Sequence, residues 1–164
     1  MLNNALLPLF LMGWVLALGA CEQPEPETEA EEVFKQWRQA YNEQDPDALP
    51  ELVADPHKLN GVERSVDEYI AMSVEPIWDA FPDLTYNDVK VVASDDYVST
   101  RVHVEGTGRG DFMGYDVEGE SVQATQTVLV RVKDGKIDEF WADVDMLTFW
   151  EQLGVIESPY PGGE

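Results

Sequence analysis

Gly106-Thr107-Gly108-Arg109-Gly110-Asp111-Phe112-Met113-Gly114 leads into Glu118-Gly119, and then into Asp134-Gly135-Lys136-Ile137, Trp141, Asp145 and Gln152-Leu153-Gly154. This order reads as strand, glycine-rich turn, strand, tight hairpin, strand and short helix. Val98, Thr100, Val102 and Val104 alternate with Ser99, Arg101, His103 and Glu105, the period of a strand with one buried face. Val122 to Val132 alternates in the same way. Asp134-Gly135 between two such runs is the signal of a two-residue hairpin. Met146 to Leu153 reads as a helix closed by Gly154.

Working outward, the first half is helical. Thr28-x-x-Glu31 is a capping box, and Phe34, Trp37 and Tyr41 follow at helical spacing, which predicts a helix over residues 29–43. Leu49, Leu52 and Val53 supply a short apolar face that Pro50 keeps brief. A second box, Ser65-x-x-Glu68, precedes the stripe Ile70, Val74, Ile77, Trp78 and Phe81, where Pro76 should kink or split the helix. Helices first and antiparallel strands second predict an α+β domain, with the N-terminal helices packed on one face of a curved sheet.

The motif set resembles the SnoaL-like polyketide cyclases of the nuclear transport factor 2-like superfamily, from about residue 33 to 155. Two positions depart from the family pattern: Gly108 stands where the family has His, and Glu118 where it has Thr. The resemblance implies a cone-shaped fold, its curved mixed or antiparallel sheet carrying the helices on its concave face. It also implies a conical pocket for a small apolar molecule and a cofactor-independent reaction in which a carboxylate moves a proton. The reaction class would be aldol cyclisation or isomerisation. A non-catalytic binding or interaction module is the alternative, and a water-activating hydrolase a third.

The family's acid falls on Asp145, four residues after Trp141. On a regular strand Trp141, Asp143 and Asp145 share a face, so all three are expected to point into the cone. A carboxyl among apolar walls loses solvation and its pKa rises toward neutrality. Asp145 also directly precedes a helix and could serve only as its N-cap. Asp143 is the second candidate acid. Trp141 and Trp78 are expected as pocket walls, with Gly108 and Met113 as further substrate-contacting positions. His57 and Asn60 are expected in a loop at the pocket mouth. His103 falls on the opposite sheet face, which is exposed or buried in a homodimer. The two His residues and the single Cys give no metal-ligand spacing.

The remaining signals concern location and charge. The first 20 residues carry an apolar run, which leads into Leu18-Gly19-Ala20-Cys21. This reads as a secretory signal (1–20) whose Cys21 is lipidated, as in a bacterial lipobox; an uncleaved membrane anchor is the alternative. Residues 21–32 form an acidic tether, and residues 156–164 a loop tail. The expected location is therefore the cell envelope, with the membrane reached through the lipid. Among the 164 residues, 33 acidic against 10 basic side chains give a net charge of −23, a field that repels nucleic acid.

Overall fold

The computed structural model describes residues 28–157; the expected signal peptide, Cys21, most of the tether and the end of the tail lie outside them. Helix α1 (Glu29–Glu43) starts at the predicted capping box. Thr28 Oγ1 accepts from the Glu31 amide, and the Glu31 carboxylate accepts from the Thr28 amide. Its buried face is Val33, Phe34, Trp37 and Tyr41. After the single turn α2 (Leu49–Leu52), the chain enters β1 (Val53–Leu59), turns through Asn60-Gly61 and returns as β2 (Val62–Arg64). The expected loop around His57 is thus a strand. Polar residues and Pro56 hide it locally, and of its two partners the adjacent β2 is only three residues long while β8 lies about 80 residues downstream.

The second capping box opens α3 (Val66–Tyr69), which continues as a π-helical stretch over Ile70–Val74 and then as α4 (Glu75–Ala80). Pro76 has no amide to donate, and the widened π turn lies just before it. The expected disruption is this change of helical pitch.

Strands β3 (Thr85–Ser94), β4 (Tyr97–Thr107), β7 (Ser121–Lys133) and β8 (Lys136–Val144) form an antiparallel run, and β8 pairs in parallel with β1. The order is β2-β1-β8-β7-β4-β3. A separate small hairpin, β5 (Asp111–Phe112) and β6 (Tyr115–Asp116), caps one end. Helix α5 (Met146–Gln152) follows β8. The concave face presents Val98, Val102 and Val104 of β4 and Val122, Ala124, Val128 and Val130 of β7, all buried. The helices pack on this face.

One irregularity in β8 decides which residues face the core. Arg131 of β7 pairs with Glu139 and Val132 with Ile137, so Asp138 is one residue too many on β8. A bulge of this kind reverses the in–out alternation beyond it. Ile137 is buried before the bulge; Phe140, Ala142 and Val144 face inward after it. Arg131 clamps the bulge from outside, with Nε and Nη2 each 2.8 Å from the Asp138 carboxylate and Nη1 3.2 Å from Glu139.

Candidate functional site

A cavity of about 250 Å³ lies between the helices and the concave face of the sheet. Trp37 and Tyr41 of α1 and Tyr69 of α3 form one wall; Ala124, Gln126, Phe140 and Ala142 form the sheet wall. Phe112 and Phe149 close one end, and Ser73 of the π-helical stretch also faces the space. Val144 and Met146 line it while remaining 37% and 41% exposed, which places them at its rim.

The polar groups of this apolar space sit mainly on the helical wall. The Tyr41 and Tyr69 hydroxyls hydrogen-bond to each other, and the Tyr41 ring meets Trp78 and Tyr86 edge-on. Burial pushes the Tyr41, Tyr69 and Tyr86 hydroxyls above the ordinary tyrosine range, and the positive charge of Arg38 only partly opposes this. All three therefore stay protonated near neutral pH. Arg38 is itself buried. Its Nε is 3.1 Å from Asp88, whose other oxygen accepts from Thr100 Oγ1 at 2.9 Å, and its guanidinium lies over the rings of Phe34, Trp37 and Tyr86. Its Nη2 has no hydrogen-bond partner. On the sheet wall, Gln126 replaces an apolar residue in the inward series of β7.

The residues singled out from sequence fall elsewhere. Asp145 is exposed and caps α5: Oδ1 accepts from the Thr148 amide at 3.2 Å and Oδ2 from Thr148 Oγ1 at 2.9 Å. Asp143 and Trp141 are exposed on the outer face, where the Trp141 ring covers Gly61. The expected inward orientation of Trp141, Asp143 and Asp145 is reversed by the extra residue at Asp138. Trp78 is buried behind Tyr41, outside the cavity lining, with an unpartnered indole N–H.

His57 is 2% exposed, stacked on Phe140 and edge-on to Tyr69, with neither ring nitrogen hydrogen-bonded. Burial lowers its pKa, so the ring is neutral behind the cavity wall. Asn60 staples the β1–β2 turn to β8: its Oδ1 accepts from the Ala142 amide at 2.8 Å and its own amide donates to Phe140 O at 2.9 Å. Met113 is 73% exposed at the tip of the β5–β6 hairpin. Gly108 is buried against Val117.

Sequence reasoning passed over Tyr41, Tyr69, Arg38 and Gln126 as polar groups of the site. Gln126 had a signal, the one amide at the inward-facing positions of Val122 to Val132, since Gln123 falls on the other face. Tyr41 and Tyr69 had none, because an aromatic at helical spacing reads first as core.

Residues 31–153 match the model of the SnoaL-like polyketide cyclase family. The chain belongs to this family. Its cone is the nuclear transport factor 2-like fold, and solved SnoaL-like structures superpose on it over most of the chain. IdmH of Streptomyces antibioticus, a candidate polyketide cyclase, is 27% identical with a TM-score of 0.69, covering 78% of this chain and 100% of that one. AclR of Streptomyces galilaeus, a candidate hydroxylase, is 26% identical with a TM-score of 0.69, covering 78% and 97%. A SnoaL-like polyketide cyclase of Agrobacterium tumefaciens is 24% identical with a TM-score of 0.67, covering 79% and 100%. No curated protein matches the chain. A candidate cyclase and a candidate hydroxylase share this SnoaL-like backbone, so the family fixes the container and leaves the reaction to its walls.

Proposed function

We propose that this SnoaL-like chain is a binding module that encloses a small, largely apolar molecule in its cone. The observation that carries this is the cavity itself, a space of about 250 Å³ with aromatic and aliphatic walls and few polar groups. Such a space gains free energy from any apolar molecule that fits it. Proton transfer by Asp145 is less well supported, because its carboxylate is turned to the α5 amides and to solvent. Cys21 and the apolar run before it support tethering of the module to a membrane of the cell envelope through a lipid. The outer sheet face, with Arg101, His103 and Trp141, would be the surface for a second copy.

The test uses the soluble form from Glu22 onward. Native mass spectrometry and solvent extraction are expected to reveal a co-purifying apolar molecule. Ala124→Trp, which fills the cavity from the sheet wall, should remove it while the protein still folds. An empty wild-type protein that also fails to take up naphthalene-sized probes would refute the proposal.

A further inference from the structure

Two hydroxyls that share one hydrogen bond leave one O–H proton over. Tyr41 and Tyr69 are such a pair, and both line the cavity. Among the described residues no carboxylate or carbonyl takes the spare proton. Tyr69 is 1% exposed and closed in by His57 and Phe140, whereas Tyr41 is 8% exposed at the cavity wall. The Trp37 indole N–H lies on the Tyr69 side without completing a hydrogen bond of its own. The arrangement with most bonds made has Tyr69 donating to Tyr41 and Tyr41 turning its own O–H into the open space.

We infer that Tyr41, backed by Tyr69, is the recognition donor of the cavity, and that its ligand carries an uncharged carbonyl oxygen which accepts from it. This rests on the enclosure reading above and adds the functional group. The lack of charge follows from the surroundings. Among the described residues the cation on the cavity wall is Arg38, paired through Nε with Asp88 and held among three aromatic rings. Among the described residues no second cation lines the space. The tyrosines report the same environment: their anionic forms are disfavoured by burial more strongly than Arg38 favours them. A carboxylate on the ligand would meet the same desolvation cost, and the Arg38 Nη2 that has no partner belongs to a guanidinium whose charge Asp88 already offsets.

Three probes of one shape separate the possibilities. 2-Acetylnaphthalene carries the ketone, 2-isopropenylnaphthalene replaces its oxygen by a methylene group, and 2-naphthoate replaces the acetyl group by a carboxylate. Binding is measured by calorimetry or intrinsic tryptophan quenching. The ketone is expected to bind roughly tenfold more tightly than the hydrocarbon, the worth of about one hydrogen bond. It should also bind at least roughly tenfold more tightly than the carboxylate. Tyr41→Phe should reduce the ketone to the affinity of the hydrocarbon and leave the hydrocarbon unchanged; Tyr69→Phe should give a smaller loss of the same sign.

Equal affinity for ketone and hydrocarbon in the wild type would overturn the inference while leaving the enclosure reading intact. So would tighter binding of the carboxylate, or an unaltered preference in Tyr41→Phe. Failure of all three probes to bind would remove both together. The wild-type comparison stands even if a variant proves unstable.

Discussion

Gly108→Ala is the smallest perturbation that tests how this chain departs from its family. A Cβ built at Gly108 would lie 2.1 Å from the carbonyl oxygen of Val117 and 3.0 Å from its carbonyl carbon. Both atoms are backbone or fixed to it, and Val117 is fully buried, so no side-chain rotation relieves the clash. The two segments must separate by about 1 Å to reach ordinary contact. Two short hydrogen bonds hold them together: Gly108 N to Glu120 O at 2.7 Å and Gly119 N to Gly108 O at 2.9 Å. Losing both costs about 1–3 kcal/mol, and overpacking beside a buried valine adds about 1–3 kcal/mol. A total of about 4 kcal/mol should lower the melting temperature by roughly 10 °C in a domain of this size. The assay is thermal unfolding followed by circular dichroism, with a urea titration to check the unfolding slope. Gly108→His, which restores the family residue, should be at least as destabilised and should gain no ligand handling. A Gly108→Ala variant melting within about 2 °C of wild type would refute the close-contact argument. A stable His variant with new activity would show that the turn can open to admit the family's imidazole.

Asp145→Ala should cost about 1 kcal/mol through loss of the α5 cap, whereas Asp145→Asn should cost a few tenths at most, since Asn caps well. Ligand uptake is expected in both; loss of it in a stable Asn variant would bring back the proton-carrier reading. For His57, burial holds the folded-state pKa below the unfolded value of about 6.5, so the unfolded chain takes up the proton first. The stability that neutral His57 contributes is complete above that unfolded value and declines as pH falls through it toward the folded value. The difference in urea midpoint between wild type and His57→Phe should therefore move against wild type between pH 7.5 and 5.5; a constant difference would refute the buried-neutral assignment.

What the sequence revealed and what it hid divide along the range of the interactions. Helix α1 was legible because its start is fixed by Thr28 and Glu31, three residues apart, and its face by a spacing that a single helix imposes. The β7–β8 hairpin was legible for the same reason: Asp134 and Gly135 adopt the positive φ angles that the two-residue turn needs. Strand β1 was missed because Pro56 and polar residues break its alternation and its parallel partner β8 is remote; the Asn60-Gly61 turn to β2, with positive φ at both residues, was the local signal that could have found it. The orientation of the candidate site failed at a single position. Asp138 adds one residue between Ile137 and Phe140, and an alternation read through it without the bulge puts Trp141 inside and Phe140 outside. Both are aromatic, so their chemistry offered no correction.

The bulge at Asp138 also sets how this cavity could change its chemistry over evolutionary time. Beyond it, the alternation stores two different linings in one stretch of sequence. As built, Phe140, Ala142 and Val144 face the ligand space, while Trp141 and Asp143 face solvent. Loss of one residue at the bulge would exchange the two sets in that stretch. An indole and a carboxylate would then replace an apolar wall, with no substitution at any lining position. Point mutations can only retouch such a surface, one side chain at a time. A single-codon deletion rewrites a strand's worth of it at once, and an insertion restores it. In this chain the two linings are thus separated by a shift of frame along one strand, a step that a comparison treating length changes as neutral would miss.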